Sequence, residues 1–211
     1  RLIGAQEEER RTVARELHDE VGQALTAVQV ELSVAQRRLK SAGHNPALLG
    51  DAEVITHGAL QTVRDISQLL HPALLDDLGL AAAIEWQART FEARHGIRAE
   101  VQQDGMTSRL PREVELAAYR IVQEALTNVA KHSRASSCRI TLRHHDANLE
   151  IVVEDNGRGF DPGEMLDPHR GLGIVGMRER AALLSGRVAF ESGSGAGTRV
   201  NVRLPVSEIH V

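Results

Sequence analysis

The sequence predicts an α+β chain. An N-terminal helical hairpin, dimerising into a four-helix bundle, is followed by a two-layer α/β sandwich. Three observations carry this. Residues up to about 71 have apolar positions at helical spacing, whereas those after about 74 mix helices, short alternating strands and glycine turns. Hydrophobic residues make up 42% of the 211, enough for a real core. One Trp, one Tyr and three Phe are all the aromatics, so that core rests on aliphatic side chains. No internal repeat interrupts the two-part reading, which divides the chain into 1–75 and 76–211.

The elements follow in order. Val21, Leu25, Val28, Leu32, Ala35 and Leu39 step by four and three, the seam of a helix lying along another helix. Residues 41–46 break it, with Asn45 placed as an N-cap and Pro46 at the first helical position. A second helix carries Ile55, Ala59, Val63, Ile66 and Leu70 on one face, and His71-Pro72 stops it. A hairpin with one apolar face per helix hides those faces best by pairing with a second copy. Beyond it come a helix over 80–94 stopped by Gly96, a strand at 97–101 and a helix from Pro111 to about 132. Strands at 138–143 and 149–153, a helix at 174–184 and strands at 187–191 and 198–204 complete the chain.

Composition removes several function classes. Lys plus Arg is 25 against 29 Asp plus Glu, and this balance, with so few aromatics, argues against a nucleic-acid binder. A single cysteine, Cys138, excludes an internal disulfide and a cysteine-based zinc site. No apolar run is long enough to span a membrane and none resembles a signal peptide, so a cytoplasmic chain is expected. The start at Arg1, inside a charged helical pattern, suggests a piece of a longer protein.

Chemistry concentrates in glycine clusters. Asp155-Asn156-Gly157-Arg158-Gly159-Phe160 follows a strand, Gly171-Leu172-Gly173 opens a helix, and residues 193–198 hold three further glycines. One such cluster is an ordinary turn. Three in one small domain, one behind a strand-end aspartate, point to a nucleotide, because glycines admit close backbone approach and a helix N-terminus favours phosphate. Neither a P-loop nor a dinucleotide fingerprint is present. Glu124 and Asn128, four apart on one helical face, offer the oxygen donors that Mg²⁺ prefers.

Taken together, Glu124-x-x-x-Asn128, Asp155-x-Gly157-x-Gly159 and Gly171-x-Gly173 resemble the boxes of the Bergerat-type ATP-binding fold of gyrase, heat-shock chaperones, mismatch-repair ATPases and sensor histidine kinases. The resemblance implies ATP as ligand, Asn128 holding Mg²⁺, and Asp155 reading the adenine amino group. It further implies a lid near 161–170 and Thr198 close to Asp155. Lys131 and His132, one turn past Asn128, would touch the phosphates, and Leu172 lies within the second glycine box. Upstream, Glu16-Leu17-His18-Asp19-Glu20-Val21-Gly22-Gln23 resembles the phosphoacceptor segment of the NarL/DesK-type histidine kinases, as does 123–132 their Asn box. The likeness runs from about Ala5 to Pro205.

That resemblance implies a homodimer whose His18 takes the γ-phosphoryl group of Mg-ATP and passes it to an aspartate of a response-regulator receiver domain. His18, Asp19, Gln23 and Glu124 would form the catalytic set, with Gln23 positioning water to dephosphorylate the regulator. A neutral imidazole is a competent nucleophile and an adjacent carboxylate can orient it or take its proton. Gly22 is expected to clear space beside the imidazole, and residues 71–77 to act as a hinge. The rival reading is an ATP-binding scaffold or phosphatase without autokinase activity; taken alone, His18 on a heptad seam is an ordinary helix histidine.

Overall fold

A computed structural model describes residues 2–43, 45, 47–70, 73–145, 147–160 and 172–206. The chain separates into two compact units, Arg1–Ala73 and Leu74–Val211.

In the first unit, α1 (Leu2–Glu16) and α2 (Gln23–Ser41) form one helical rod joined by a π-helical turn, Leu17–Gly22. The antiparallel arm of the hairpin is α3 (Ala47–Leu70). A π turn takes an extra residue per hydrogen-bonded ring, so it alters which positions line up along the rod. Ala14 and Gly22, eight apart, are both buried; in an uninterrupted α-helix they would sit about 80° apart. Thr26 back-bonds the Gly22 carbonyl at 2.8 Å, satisfying an acceptor at the turn's exit. Gln36 donates to Glu53 at 2.8 Å, fixing the register between α2 and α3. Leu60 and Thr56 of α3 are buried, yet α2 buries no residue at all. The seam read from the sequence therefore splits. Leu25, Leu32 and Leu39 are partly covered, while Val21, Val28 and, on α3, Ile55 and Ile66 stay exposed.

The helix α4 (Ala73–His95), which belongs to the second unit from Leu74 on, breaks at Gly79 (φ 84°, ψ 179°). Leu75, before the break, already belongs to this unit's core, and the Leu75 and Asp76 carbonyls accept bonds from Arg109 at 2.9 and 3.0 Å. Arg109 is in turn gripped by the buried Glu115 carboxylate through two bonds of 3.1 and 2.7 Å. The expected hinge at 71–77 thus has its later half fastened down.

After α4 come β1 (Arg98–Asp104), α5 (Arg112–Asn128) with a second π turn (Val129–Ser133), β2 (Ser137–His145) and β3 (Asn148–Asp155). The unit closes with α6 (Leu172–Leu183), β4 (Arg187–Ser192) and β5 (Thr198–Pro205). The five strands form one sheet in the order β1-β2-β3-β5-β4, parallel only between β1 and β2. Strand alternation builds the core: Ile140 and Leu142, Leu149 and Ile151, Val202 and Leu204 are buried beside Ile84, Ala118 and Ile121 of the helices. Between these positions the strands carry charges that pair across strands, as Arg139 does with Glu100 at 3.3 Å and Arg199 with Glu154. All five aromatic residues, Trp86, Phe91, Tyr119, Phe160 and Phe190, belong to this unit.

Candidate functional site

On the hairpin, His18 and Asp19 lie in the first π turn, and Gln23 opens α2. The His18 side chain is outside the described residues; Asp19, Glu20 and Gln23 are exposed. In an uninterrupted α-helix Asp19 and Gln23 would be i,i+4 neighbours on one face. The π turn between them widens that spacing, because each of its turns holds more than four residues. At Gly22 a Cβ would stand 3.8 Å from the Leu17 carbonyl, an ordinary contact, so within one chain space alone does not demand glycine.

In the second unit, residues from five elements enclose an open pocket of about 340 Å³, within the usual range for small-molecule sites. Helix α5 and its π turn supply Ala125, Asn128, Val129 and His132, a stripe spaced three, four and seven residues apart. The sheet contributes Val153, Asp155, Phe190, Thr198 and Val200; the loop after β3 adds Arg158, Gly159 and Phe160, and α6 adds Ile174. The lining is apolar with a few polar groups, and two of the chain's five aromatics are in it.

Asp155 is the electrostatic focus. Its Oδ1 accepts the Gly157 N–H at 2.8 Å, and Thr198, its register partner on β5, favours the charged carboxylate. Burial pushes its carboxyl above the ordinary value, and Gly157 and Thr198 only partly offset the push. The loop that follows is fixed by backbone approach. A Cβ on Gly157 would fall on the Ser133 carbonyl, and one on Gly159 (φ 64°) on the Gly193 and Gly197 carbonyls. The third glycine cluster packs against the first, with the Gly195 N–H donating to the Arg158 carbonyl at 2.7 Å.

The second π turn is braced from the same loop. Arg158 donates from its main chain to the Ser133 carbonyl at 2.7 Å and from Nε to the His132 carbonyl at 2.8 Å. Asn156 accepts the Ser136 and Ser137 N–H groups, both at 3.0 Å, tying β2's entry to the Asp155 loop. These roles for Asn156 and Arg158 were not foreseen. Each joins segments about 20 or more residues apart, and no local pattern announces that.

Of the residues singled out from sequence, Asn128, His132, Asp155, Gly159 and Thr198 line one pocket, with Gly157 buried beneath it. Glu124 is half-buried and lies against the start of α6, where a Cβ on Gly173 would meet its carboxylate. Lys131 is exposed and outside the lining. Gly171, the Leu172 side chain, residues 161–170, His71 and Pro72 are outside the described residues. Among the described residues no group of three or more His, Cys, Asp or Glu could hold a metal, and no helix is long and apolar enough to cross a membrane. Cys138 is a buried strand residue whose thiol is pushed up to about 12, by burial first and then by the charges of Asp155 and Glu92.

Comparison with known proteins agrees with this division. A family model described as "Histidine kinase" matches residues 9–75, and one described as "Histidine kinase-, DNA gyrase B-, and HSP90-like ATPase" matches 113–208. The chain is 34% identical over 208 residues to the signal transduction histidine-protein kinase/phosphatase DegS of Brevibacillus brevis, covering 98% of this chain and 53% of that protein. It is 38% identical over 209 residues to the sensor histidine kinase MctS of Rhizobium johnstonii, covering 98% of this chain and 45% of that protein. It thus spans about half the length of these relatives. Among solved structures, the histidine kinase domain of the Erythrobacter litoralis EL346 blue-light activated histidine kinase shares its fold at a TM-score of 0.55. That match has 24% identity and covers 87% of this chain and 94% of that one. With a histidine-kinase segment ahead of a histidine-kinase-type ATP-binding domain, the chain belongs to the sensor histidine kinases of the NarL/DesK type.

Proposed function

We propose that this chain is the catalytic core of a two-component sensor kinase: it binds Mg-ATP, transfers the γ-phosphoryl group to its own His18, and hands it to an aspartate of a response-regulator receiver domain. The observation that carries the reading is the convergence of Asn128, Asp155 and Thr198, seventy residues apart in sequence, on one pocket. The division of labour places phosphoryl acceptance in 1–75 and nucleotide binding in 76–211.

In this reading Asp155 accepts the base's amino group, and Val153, Val200, Ile174 and Phe190 surround the ring. His132 and Arg158 face the phosphate end, with exposed Lys131 near enough along the chain to add charge. Asn128 and Glu124 suit Mg²⁺: both are oxygen donors one turn apart, and a cation held chiefly by phosphate oxygens and water needs few protein ligands. The metal supplies charge neutralisation on the transferring phosphoryl group. At the hairpin, a bond forms between an imidazole nitrogen of His18 and phosphorus as the anhydride bond to ADP breaks. Asp19 takes the imidazole proton. Exposed Gln23 orients a water for removing phosphate from the regulator. The exposed Val21, Val28, Ile55 and Ile66 form the seam of a homodimeric four-helix bundle.

Incubation with ATP labelled at the γ-phosphate, beside His18→Gln and Asn128→Ala, tests this. Acid-labile, alkali-stable label on wild type and on neither variant is the expected result. Nucleotide binding that needs Asn128, without label on His18, would support the scaffold or phosphatase reading instead.

A further inference from the structure

Ser192 ends β4 and does not line the pocket, yet it touches two residues that do. Its Oγ accepts the Phe160 N–H at 2.9 Å, donates to the Gly197 carbonyl at 2.9 Å, and stands 3.3 Å from Thr198 Oγ1. The directions of the first two bonds are forced, because an amide N–H only donates and a carbonyl only accepts. A serine hydroxyl has one proton and two lone pairs. With its proton committed to Gly197, Ser192 can only accept from Thr198.

Thr198 in turn has one hydroxyl proton, and the acceptor at hydrogen-bond distance from it is Ser192 Oγ, which is outside the pocket lining and so draws the proton away from the pocket. What Thr198 then turns toward a ligand is lone pairs. Beside it, the Asp155 carboxylate also only accepts.

We propose that Ser192 is a positioning residue that makes this end of the pocket accept-only, so that it takes a base bearing an exocyclic amino group and rejects one bearing a carbonyl at the same place. This rests on the nucleotide reading above. With alanine at 192, the Phe160 N–H and Gly197 carbonyl lose their shared partner, and the Thr198 hydroxyl is free to turn its proton into the pocket, where a carbonyl could use it.

Titration of the intact chain with ATP and with inosine triphosphate, which carries a carbonyl in place of adenine's amino group, measures the effect. Wild type should favour ATP. Ser192→Ala should weaken ATP about tenfold, the scale of one net hydrogen bond, and inosine triphosphate by less than about twofold, so that the preference collapses. Ser192→Thr should restore it. In a Thr198→Val background, Ser192→Ala should leave the ratio of the two affinities where it was. An equal fall for both nucleotides, or an unchanged ratio in the single variant, overturns the proposal by reducing Ser192 to a structural part. A wild-type chain that binds neither nucleotide overturns the nucleotide reading instead.

Discussion

In the sheet unit, Ile84, Ile121, Ile140, Leu142, Leu149 and Ile151 are closed off from water within one chain. In the hairpin, α2 runs for 19 residues without burying one, and Val28, Val54 and Ile55 stand 45%, 72% and 71% exposed. The two regions spend their apolar residues differently. One uses them to hold a pocket rigid from within; the other holds them out, in rows, where only a second surface can cover them. The contrast is between apolar residues closed into a core and apolar residues left on an open face, which under the proposed function a second copy would cover.

The largest expected effect comes from spoiling the exposed rows. Val28→Asp with Ile55→Asp should convert a dimer to a monomer by light scattering and abolish label on His18, while ATP affinity stays within about twofold, since neither residue belongs to the pocket unit. Retained dimerisation would move the seam elsewhere.

The reverse experiment is Ile151→Ala. A fully buried strand isoleucine cut to alanine should destabilise the sheet unit by about 2–5 kcal/mol in denaturant titration while the dimer survives. A dimer lost along with it would mean the units stand or fall together.

A subtler effect separates stability from binding inside the sheet unit. Because burial raises the Asp155 carboxyl, the native state holds that proton more tightly than the unfolded state does. Its contribution to stability is therefore present below the ordinary carboxylate range and lost as pH rises through the raised value. Asp155→Asn should melt at or above wild type at neutral pH, and the difference should disappear in acid. The same variant should lose ATP. A variant that melts lower at neutral pH would refute the sign.

The smallest effect is expected at Tyr119, whose hydroxyl is buried without a hydrogen-bond partner among the described residues. Tyr119→Phe should change stability by less than about 1 kcal/mol, or raise it, since it removes an unpaired polar group.

Much of the scaffold was legible because it is written in local periodicity. The alternation of Cys138, Ile140 and Leu142 marked a strand, and Pro111 marked the start of α5. Asn128, Asp155 and Thr198 were legible by type and spacing, and the fold brings all three to one pocket. What stayed hidden depends on geometry that spacing does not encode. Both π turns, Leu17–Gly22 and Val129–Ser133, occupy stretches whose side chains fit an ordinary α-helix. The helix read as starting at Leu80 has a further turn ahead of Gly79, held by Arg109 and Glu115 from thirty residues away. The contact of glycines 193–197 with the loop after β3 was not legible, because close approach asks for glycine whether the neighbour is a phosphate or another glycine loop.

The distribution of aromatic rings has a practical consequence. With Trp86, Tyr119 and every phenylalanine in the sheet unit, the hairpin is silent in fluorescence and in the near ultraviolet. Trp86 emission during unfolding follows the sheet unit alone, whereas helical ellipticity draws on both units, 58 residues in α1–α3 and 52 in α4–α6. One sample observed by both probes therefore reports on both halves without labels. Curves that separate would show two independent transitions, and curves that coincide would show a single cooperative one.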